Sequence, residues 1–582
     1  MVRAMYAFSG DPITNGHKDV VKRAADVFDE VIVGIGVNPD KSFKYTFSLA
    51  EREEMAKKAL VDISNVKVIS FRGMLVDYAY EQKIPVIIKG VRNAEDADYE
   101  NNLDQIGRSQ KLGIDTHILF ARPELMHISS SNVKGIQAAQ GDVHEYVHPY
   151  IKQCLEARMS GQYMVGLTGE ICSGKSYIGK KLETIGQEYG IEVHNIELDH
   201  VGHEILESLT DPIYEDVRTQ IIKTFEEKTK NKDGTINRKV LGEIVFNNQK
   251  ELEKLNDIMY TPLMVRLRRE LLGKKGLFLI NAALIAESDW SYLNNNNTLF
   301  VDVDENSQEK RMLKRGLTTE QIKTRLNTQY NSAEKKSKLI NSIQRDNHGM
   351  IWTLDNSDDA NCQQIKTVFN QIISEMDIYG ELRFRALWER INADGTPDEE
   401  YKRIVQSYSQ SSRFYHDLEH VITGINAYEE SKHLMEEPNK VLFAWFYHDI
   451  IMKKKSQVDE EASAEIAYNV CRQAVLSEGF AKNVKELIIF GTKHKEIPKT
   501  IDQKLISDID LAIFGKTPGE FDEYNKDIWE EWSWVGRERF ADGRKKVLDK
   551  FLKRQSIYFT DFFKERYEEQ AKENLTRARS AL

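Results

Sequence analysis

The segment VGLTGEICSGKS spans Val165–Ser176, and a helical pattern follows it over 177–189. The apolar run Val165–Thr168 predicts a short buried strand, and the glycine-rich turn after it predicts a loop at the N-terminus of the next helix. Free backbone N–H groups and the helix dipole favour a phosphate group at that point. Because G-x-x-x-x-G-K-[ST] is matched in full between a strand and a helix, the segment predicts a nucleoside triphosphate-binding loop in an α/β domain.

Each part of this loop has a predicted role. Backbone N–H groups would surround the phosphates, Lys175 would reach the β- and γ-phosphates, and Ser176 would ligate Mg²⁺. The alternative, a glycine turn with a surface lysine, is disfavoured by both flanking patterns. The candidate ATP-binding residues of the loop are Gly169, Glu170, Ile171, Cys172, Ser173, Gly174, Lys175 and Ser176.

A second phosphate-binding pattern, DPITNGH, lies upstream at Asp11–His17, between an apolar run at 4–8 and a helical pattern at 17–28. A histidine in the first turn of a helix can direct its imidazole at an anion held there. It can then stabilise a pentavalent phosphorus without acting as a nucleophile. His17 is therefore a candidate catalytic residue, and Ser9, at the end of the preceding strand, is expected to face the same pocket.

Other residues of the same region favour this interpretation. The three serines of ISSSNVK, at 128–134, stand at another predicted helix start, where hydroxyl and N–H groups suit a polyphosphate. The alternative is that Thr14 and Ser129 are ordinary N-caps and His17 a surface residue. Two such loops in one region, together with KGVR at 89–92, favour phosphate binding.

The 582 residues are too many for one hydrophobic core, so several domains are expected. Short apolar runs alternate with helical patterns over 1–160 and again over 164–376, and this alternation is typical of parallel α/β sheets. Helical patterns dominate over 381–582. The sequence thus predicts a multidomain protein: a Rossmann-like, doubly wound α/β domain, a P-loop α/β domain and an all-α domain, with a polar linker near 158–162 between the first two.

Bulk composition narrows the function class. A net charge of -11 argues against general binding to nucleic acid. No apolar run approaches the roughly 20 residues that span a bilayer. The four scattered cysteines are typical of reduced thiols, and the opening MVRAMYAFSGDP predicts a strand rather than a signal peptide. We therefore expect a cytoplasmic protein with neither nucleic acid nor membrane as a partner.

Residues 1–158 resemble phosphopantetheine adenylyltransferase, a family of nucleotidyltransferases. The similar segments are DPITNGH, the region of Lys41, LAER at 49–52, GVR to DYE at 90–100, and ISSSNVK. The resemblance implies transfer of an adenylyl group from ATP to 4′-phosphopantetheine with the assistance of Mg²⁺, giving dephospho-CoA and diphosphate. It also leaves open a homo-oligomer formed through this domain.

The resemblance also implies residue roles by position, with His17 stabilising the transition state. The phosphopantetheine contacts would be Ser9, Lys41, Leu75 and Lys89. The ATP contacts would be Ser9, Gly10, His17, Gly90, Val91, Arg92, Glu100, Leu125, Ser129, Ser130 and Ser131. The family usually has G-T-F where this chain has Phe8-Ser9-Gly10, and arginine where it has Lys89, which loses bidentate phosphate geometry. We expect activity to persist with a changed KM.

Residues 164–375 resemble dephospho-CoA kinase in five segments. These are VGLTGEICSGKS, IELDHVGHEIL, DGTINRKVLGEIVFNN, VDVDENSQEKRMLKR and LDNSDD. The resemblance implies phosphorylation of the 3′-hydroxyl of dephospho-CoA by ATP, giving CoA. Lys175 and Asp199 would be catalytic, Asp199 as the base for that hydroxyl. Arg311 and Arg315 would face the ATP phosphates from a lid helix.

This second region departs from its family at several positions. Glu197 stands in place of an aspartate, His203 in place of an arginine, Thr261 in place of a histidine, and Lys335 in place of an arginine. Ala282-Ala283-Leu284 replaces a Pro-Leu-Leu segment. The phosphate loop and Asp199 are retained, so we expect kinase activity with less secure orientation of the substrate.

The last region carries histidines and aspartates in a pattern suited to divalent metals. Two histidines of RFYHDLEHV, at 413–421, are predicted one turn apart on one helix face. A histidine–aspartate pair follows in WFYHDI, and two aspartates lie in SDIDLAIF. The set comprises His416, His420, His448, Asp449, Asp508, Asp510 and, in TKHKE, His494.

This set resembles the HD superfamily of metal-dependent phosphohydrolases, and YHDLEH is similar to an element of its cyclic-nucleotide phosphodiesterase branch. The resemblance implies a divalent metal, Mn²⁺, Fe²⁺ or similar, held by His420, His448, Asp449 and Asp510. His416 would be a general acid, and His494 would serve a second metal or a substrate phosphate. The alternative is a helical domain that binds metal or nucleotide without turnover.

The sequence thus predicts a bifunctional enzyme of CoA synthesis with ATP, 4′-phosphopantetheine, dephospho-CoA and CoA as ligands, followed by a hydrolase whose substrate the sequence does not specify. A rival from another class is a nucleotide-binding regulatory scaffold whose synthetic domains have decayed. Retention of His17, Lys175, Ser176 and Asp199 argues against the scaffold.

Overall fold

The computed structural model describes residues 2–37, 45–71, 73–245, 248–316, 318–319, 322, 330–357, 360, 362–377, 380–410, 412–452, 459–492 and 497–582. The chain divides into two compact units, Met1–Met376 and Asp377–Leu582. The first unit contains two parallel sheets with their helices, and the second is helical. The predicted succession of two parallel α/β sheets and a helical region is confirmed.

The first sheet has five parallel strands in the order β3-β2-β1-β4-β5. The strands are β1 Arg3–Phe8, β2 Glu30–Ile35, β3 Val66–Ser70, β4 Val86–Val91 and β5 Asp115–Phe120. The helices are α1 Asn15–Ala25, α2 Leu49–Ala59, α3 Leu75–Glu81, α4 Ala94–Ser109, α5 Ser130–Ala138 and α6 Pro149–Leu155. The strand order reverses between β1 and β4, and ligands of such sheets bind at the carboxyl ends of the strands beside this point.

The second sheet has the order β10-β9-β6-β8-β7, again with all strands parallel. The strands are β6 Gln162–Gly169, β7 Val193–Glu197, β8 Gly276–Asn281, β9 Asn297–Asp302 and β10 Met350–Asp355. The helices are α7 Lys175–Tyr189, α8 Leu198–Glu207, α9 Pro212–Phe225, α10 Arg238–Val245, α11 Gln249–Leu271, α12 Glu305–Lys314, α13 Ser332–Asp346 and α14 Cys362–Met376. β6 is buried at every position because helices cover both faces of a parallel sheet.

The junction between the two sheets differs from the predicted polar linker near 158–162. α6 continues directly into a π-helix over Glu156–Ser160, and only Gly161, in the left-handed region, separates that helix from β6. Arg158 donates to the carbonyl of Thr46 (3.0 Å) and to the carboxylate of Glu51 (2.6 Å). The junction is therefore packed against the first domain and is not a free linker.

A four-asparagine run, Asn294–Asn297, completes the junction from the side of the second sheet. Asn295 and Asn296 take left-handed φ values of 53° and 61°, which asparagine tolerates better than most residues. The buried Asn295 side chain accepts from Lys152 (3.1 Å) and donates to Glu156 (2.6 Å), and Lys152 and Glu156 pair at 2.6 Å. The asparagine run thus satisfies a buried ion pair between α6 and the π-helix.

The second unit consists of ten α-helices with short 3₁₀ and π segments among the described residues. The helices are α15 Glu381–Arg390, α16 Pro397–Tyr408, α17 Leu418–Ser431, α18 Pro438–Tyr447, α19 Asp459–Gln473, α20 Glu478–Leu487, α21 Ile501–Leu511, α22 Pro518–Trp532, α23 Arg537–Leu552 and α24 Asp561–Ala581. Its core includes the buried Trp445, whose indole N–H donates to the Val421 carbonyl at 2.8 Å. A Cβ at Gly424 would lie 1.8 Å from this indole, so α17 and α18 approach closely only because residue 424 is glycine.

Among the described residues, no helix combines the length and the apolar character needed to cross a bilayer.

Candidate functional sites

The first site lies where β1 ends and α1 begins. Thr14 precedes α1 in an extended conformation, and its N–H donates to Nδ1 of His17 at 3.1 Å. The Thr14 hydroxyl lies 2.9 Å from the same nitrogen. Because a backbone N–H can only donate, Nδ1 accepts, and a neutral His17 then carries its proton on Nε2. The motif thus presents an N–H donor at a helix N-terminus, which suits a phosphoryl oxygen.

The environment keeps His17 neutral at physiological pH. Burial, and then the positive charge of Arg92, lower its pKa from 6.5 to about 4. The ring stacks on Phe8, with centroids 4.4 Å apart and planes inclined by 11°. Phe8, whose bulk marked a departure from the resembled family, is therefore in contact with the candidate catalytic residue.

Asp11 anchors the loop in front of α1. Its buried carboxylate accepts the N–H groups of Thr46 and Phe47 at about 3 Å, and Lys134 of α5 pairs with it at 2.5 Å. Arg52 of α2 donates to the carbonyl of Ser9, so two further elements hold the same loop. The sequence showed the motif but not these supports, since Lys134 and Arg52 reach it only through the fold.

The segment 125–131 lies beside the loop in front of α1. The Ser129 hydroxyl caps α5 by accepting the Asn132 N–H at 3.1 Å, and the Ser130 hydroxyl donates to the Pro12 carbonyl at 2.8 Å. The serine-rich helix start therefore lies beside the DPITNGH loop. Leu125 closes a short 3₁₀ turn ahead of it.

Two of the four candidate phosphopantetheine residues line a cavity of about 150 Å³ in the same domain. Leu75 and Lys89 line it together with Glu100 and Leu103, and Lys89 pairs with Glu100 at 2.8 Å. Gly90, Val91 and Arg92 continue from Lys89 at the end of β4. The structure thus brings both predicted sets of contacts to one edge of the sheet, while Lys41 lies outside the described residues.

The second site is the glycine-rich loop between β6 and α7. Gly169 has φ +151° and Gly174 φ +96°, and a Cβ on either would lie 2.3 Å from a neighbouring atom. Both positions therefore require glycine. Lys175, the first residue of α7, donates to the carbonyls of Gly169 (3.3 Å) and Glu170 (3.1 Å). Burial, and then the positive charge of the nearby Lys335, lower the pKa of Lys175 to about 8.

Ser176 and the end of β7 form the place where Mg²⁺ would bind. The Ser176 hydroxyl donates to the Glu197 carboxylate at 3.0 Å, and the Asn195 amide donates to the other carboxylate oxygen at 3.3 Å. A hydroxyl and a carboxylate at this distance suit the hard cation Mg²⁺. Asp199 follows in the first turn of α8 and is exposed, so its carboxylate is open to a substrate.

Lys335 lies beneath the loop, on α13. Its side chain is wholly buried, pairs with Glu287 at 2.8 Å and donates to the Ala283 carbonyl at 2.6 Å. It also reaches the Gly169 carbonyl at 3.4 Å. Lys335, which stands where the resembled family has an arginine, is thus a support of the phosphate loop.

Arg311 of α12 also contacts this loop. It donates to the carbonyls of Cys172, Ser173 and Asn356. These bonds tie α12 to the back of the loop, so Arg311 is engaged by the protein rather than free toward a phosphate. Arg315, at the end of α12, is exposed.

The substrate side of this domain contains a contact that the sequence did not predict. Nε2 of His203, on α8, lies 2.6 Å from a guanidinium nitrogen of Arg238, which also pairs with Glu207 at 3.1 Å. His203 stands where the resembled family has an arginine, and Arg238 on α10 supplies a guanidinium next to it. Positive charge is therefore retained at this place by a residue distant in sequence.

The third site is a His/Asp cluster in the helical unit. Nε2 of His420 lies 3.0 Å from Nε2 of His448, and Asp510 Oδ1 lies 3.5 Å and 3.9 Å from these two nitrogens. Nδ1 of His448 donates to the Trp445 carbonyl at 2.7 Å, which leaves Nε2 free to coordinate. These three donor atoms lie within 4.8 Å of one another, so His420, His448 and Asp510 could hold a single divalent ion. Asp449 lies at the edge of the cluster, 3.3 Å from His448.

His416 does not occupy the position that the sequence suggests. α17 begins at Leu418 behind the N-cap Asp417, so His416 precedes the helix and does not share a helix face with His420. It reaches the cluster because Glu531 of α22 contacts its Nδ1 at 2.7 Å and accepts the N–H groups of residues 414–416. Burial by itself lowers the pKa of His416, but the carboxylates of Glu531, Asp449 and Asp510 outweigh it and raise that pKa to about 9.

Arg413 and Asp508 are structural supports of this cluster. Arg413 donates to the carbonyls of His416, Asp449 and Ile450, joining the two segments that carry the cluster. Asp508 is buried and accepts the N–H groups of Phe559 and Thr560, so it is unavailable to a metal. His494 lies outside the described residues.

Comparison with protein families identifies two of the three regions. A model of the cytidylyltransferase-like family matches residues 9–136, and a model of dephospho-CoA kinase matches residues 163–351. The chain therefore contains a cytidylyltransferase-like domain and a dephospho-CoA kinase domain. Both are nucleotide-binding folds, so the predictions of a transferase and of a kinase are confirmed at this level.

Several solved structures are similar to parts of the chain. TT1252 from Thermus thermophilus is 22% identical, covers 37% of this chain and 97% of its own, and has a TM-score of 0.29. Dephospho-CoA kinase from Campylobacter jejuni is 19% identical over 36% of this chain and 97% of its own, with a TM-score of 0.23. A NadR protein in complex with NR is 10% identical over 64% of this chain and 95% of its own, with a TM-score of 0.23.

Proposed function

We propose that residues 1–376 synthesise coenzyme A in two consecutive steps, as pantetheine-phosphate adenylyltransferase over 1–160 and dephospho-CoA kinase over 164–376. The observation that carries the proposal is that one compact unit contains both a neutral His17, which can donate a hydrogen bond, and a complete phosphate loop. A cavity lined by Lys89 lies in the same domain as His17. The kinase domain acts on the product of an adenylyl transfer, and a nucleotidyltransferase-type domain precedes it in the chain.

In the first step, a phosphate oxygen of 4′-phosphopantetheine attacks the α-phosphorus of ATP. The bond from that phosphorus to the β-bridging oxygen breaks, and diphosphate leaves. His17 Nε2–H donates to the developing negative charge, and Ser129, Ser130 and the N-terminus of α5 hold the departing phosphates. Lys89 and Leu75 hold the other substrate in the adjacent cavity.

In the second step, the 3′-hydroxyl of dephospho-CoA attacks the γ-phosphorus of a second ATP. The bond from that phosphorus to the β,γ-bridging oxygen breaks, and ADP leaves. Lys175 and the loop N–H groups hold the β- and γ-phosphates, and Asp199 accepts the hydroxyl proton. Bound Mg²⁺ neutralises phosphate charge in both steps, and Ser176 and Glu197 are the residues that would hold it here. Lys335 keeps the loop in place by its contact with Gly169.

For residues 381–582 we propose an HD-type metal-dependent phosphohydrolase. His420, His448 and Asp510 would hold a divalent ion such as Mn²⁺ or Fe²⁺, with Asp449 completing the set. Bound there, the ion supplies a Lewis acid for attack of water on phosphorus. His416, oriented by Glu531, would deliver a proton to the leaving oxygen from Nε2, which faces Asp449 at 3.9 Å.

We also propose that copies of the chain associate through the first domain. α4 buries none of its residues within the chain, and its Tyr99 and Ile106 are about half exposed. The neighbouring β5 exposes Ile118 and Phe120, the latter at 70%. An apolar helix face beside an exposed strand edge is typical of a contact between subunits, and the occupant we propose is a second copy.

The test of the synthetic activity is incubation of the full chain with ATP, Mg²⁺ and 4′-phosphopantetheine, followed by chromatography. We expect dephospho-CoA to appear first and CoA to follow it. If folded protein forms neither compound yet still binds ATP, the nucleotide-binding scaffold is the better description.

The test of the third domain is elemental analysis after anaerobic purification and refilling with Mn²⁺ or Fe²⁺. About one ion per chain is expected at the three-donor site. Protein that retains no ion would refute the hydrolase assignment without bearing on CoA synthesis.

A further inference from the structure

The first site contains an aromatic contact that the proposed mechanism leaves unused. Phe8 is the last residue of β1, and His17 lies in the first turn of α1. Their rings are stacked nearly parallel, with centroids 4.4 Å apart. Tyr6, two residues earlier on the same face of β1, adds its ring 4.9 Å from that of Phe8.

The imidazole of His17 has two degrees of freedom that matter for catalysis. The bond from the Thr14 N–H to Nδ1 fixes which nitrogen turns inward and therefore which one carries the proton. The N–H and the hydroxyl of Thr14 both contact this one nitrogen, so the ring plane can still tilt about it. The flat face of Phe8 removes that tilt, because a tilted imidazole would lose the stacked contact.

The local backbone accommodates this stack. Gly10 has φ +59°, and a Cβ there would lie 3.1 Å from Cε2 of Phe8 and 3.4 Å from Ile35. A larger residue at position 10 would therefore press on the Phe8 ring. Where the resembled family has glycine followed two positions later by phenylalanine, this chain has the two residues exchanged. In this chain the aromatic ring at the strand end lies against His17.

We propose that Phe8 is a positioning residue for adenylyl transfer, setting the direction in which the Nε2–H of His17 points. The proposal rests on the transfer activity proposed for residues 1–160. Phe8 does not contact a substrate in this role. It holds the imidazole so that the donor is already aimed when charge develops on the phosphorus, and small errors in such alignment cost large factors in rate.

The kinetic experiment compares Phe8→Leu, which keeps apolar volume but lacks a flat face, with Phe8→Tyr, which keeps the ring. The leucine variant should lose about 10- to 100-fold in kcat for dephospho-CoA formation with little change in either KM. The tyrosine variant should recover most of that loss. The matched control is Phe28→Leu, since Phe28 neighbours His117 at 6.1 Å in the same domain outside the site. Wild-type kcat in Phe8→Leu, or an equal loss in Phe28→Leu, overturns the proposal.

A second measurement does not depend on turnover. In protein labelled with ¹⁵N-histidine, the His17 signals, assigned by their absence in His17→Gln, should show the Nε2–H form and a restricted ring. In Phe8→Leu the same signals should broaden or average, while Phe8→Tyr keeps them sharp. Unchanged signals in Phe8→Leu overturn the positioning role. A wild-type protein that shows the ordered ring but no adenylyl transfer would instead refute the proposed function.

Discussion

The phosphate loop and the His/Asp cluster are built in opposite ways. Gly169–Ser176 forms its site from consecutive residues whose backbone conformation does most of the binding. The cluster gathers donors from His420, His448 and Asp510, and orients His416 through Glu531, about a hundred residues away. A local site needs a correct turn, whereas a dispersed site needs a correct fold. Mutations distant in sequence should therefore disturb the cluster more readily than the loop.

A substitution at Lys335 tests whether the phosphate loop keeps its conformation without support from a residue distant in sequence. Lys335→Met leaves the buried Glu287 carboxylate without its cation, which should cost about 3–5 kcal/mol of stability. Hydrogen exchange of the β6 amides measures that loss. Adding Glu287→Met should restore much of it, because the unpaired charge disappears. Unchanged exchange in the single variant would show that the loop stands without its distant support.

The two nucleotide sites should fail independently of each other. His17→Ala removes one donor and should lower dephospho-CoA formation about 100- to 1,000-fold, with phosphorylation of added dephospho-CoA unaffected. Lys175→Ala should do the reverse, as dephospho-CoA accumulates. Chromatography of the products reports both steps in one sample. CoA made at the normal rate from 4′-phosphopantetheine by either variant contradicts the assignment of the steps.

Asp508 and Asp510 separate folding from metal binding within one helix. Asp508→Ala strands the N–H groups of Phe559 and Thr560 and should cost about 2 kcal/mol of stability. Asp510→Ala should cost less stability but remove the bound ion. Thermal unfolding of metal-free protein and elemental analysis give the two readings. The comparison fails if Asp508→Ala is the variant that loses metal while keeping its stability.

The smallest effect concerns pH. The pKa of His17 in the folded chain is about 4, below the value of 6.5 for an exposed histidine. Between these values the unfolded chain binds a proton that the folded chain does not, so stability falls as pH decreases from 6.5 to 4. Between pH 7 and 8 the residue stays neutral and should contribute no change in adenylyl transfer. An NMR titration of His17 that gave a midpoint near 6.5 would show that its environment is more open than the stacked geometry implies.

Sequence reasoning locates a loop when the residues that form it are consecutive. The glycine pattern, the strand before it and the helix after it predict the loop, because the turn conformation requires those residue types. DPITNGH predicts the first site for the same reason. The contacts that Arg52, Lys134 and Lys335 make with these loops are not predicted. A basic residue on the surface and a buried one look alike in a sequence, and only the fold distinguishes them.

The His/Asp cluster shows which parts of a dispersed site the sequence does not predict. The histidines and aspartates that approach one another could be proposed from their types, but Glu531 could not. It is one acidic residue in a helix rich in them, and only its contact with His416 marks it. The helix start at Leu418 was not predicted either. The four-residue spacing of His416 and His420 is also compatible with a single helix that contains both histidines.

The junction of the two sheets has a practical consequence for anyone dividing the chain. A break near residue 160 would look natural by sequence, yet it would separate Asn295 from the ion pair of Lys152 and Glu156. In the first fragment, the ion pair of Lys152 and Glu156 would lose the contact that buries it. The second fragment would begin at β6, a strand that is buried at every position. Expressing either domain alone therefore calls for redesign of the surface that the cut exposes.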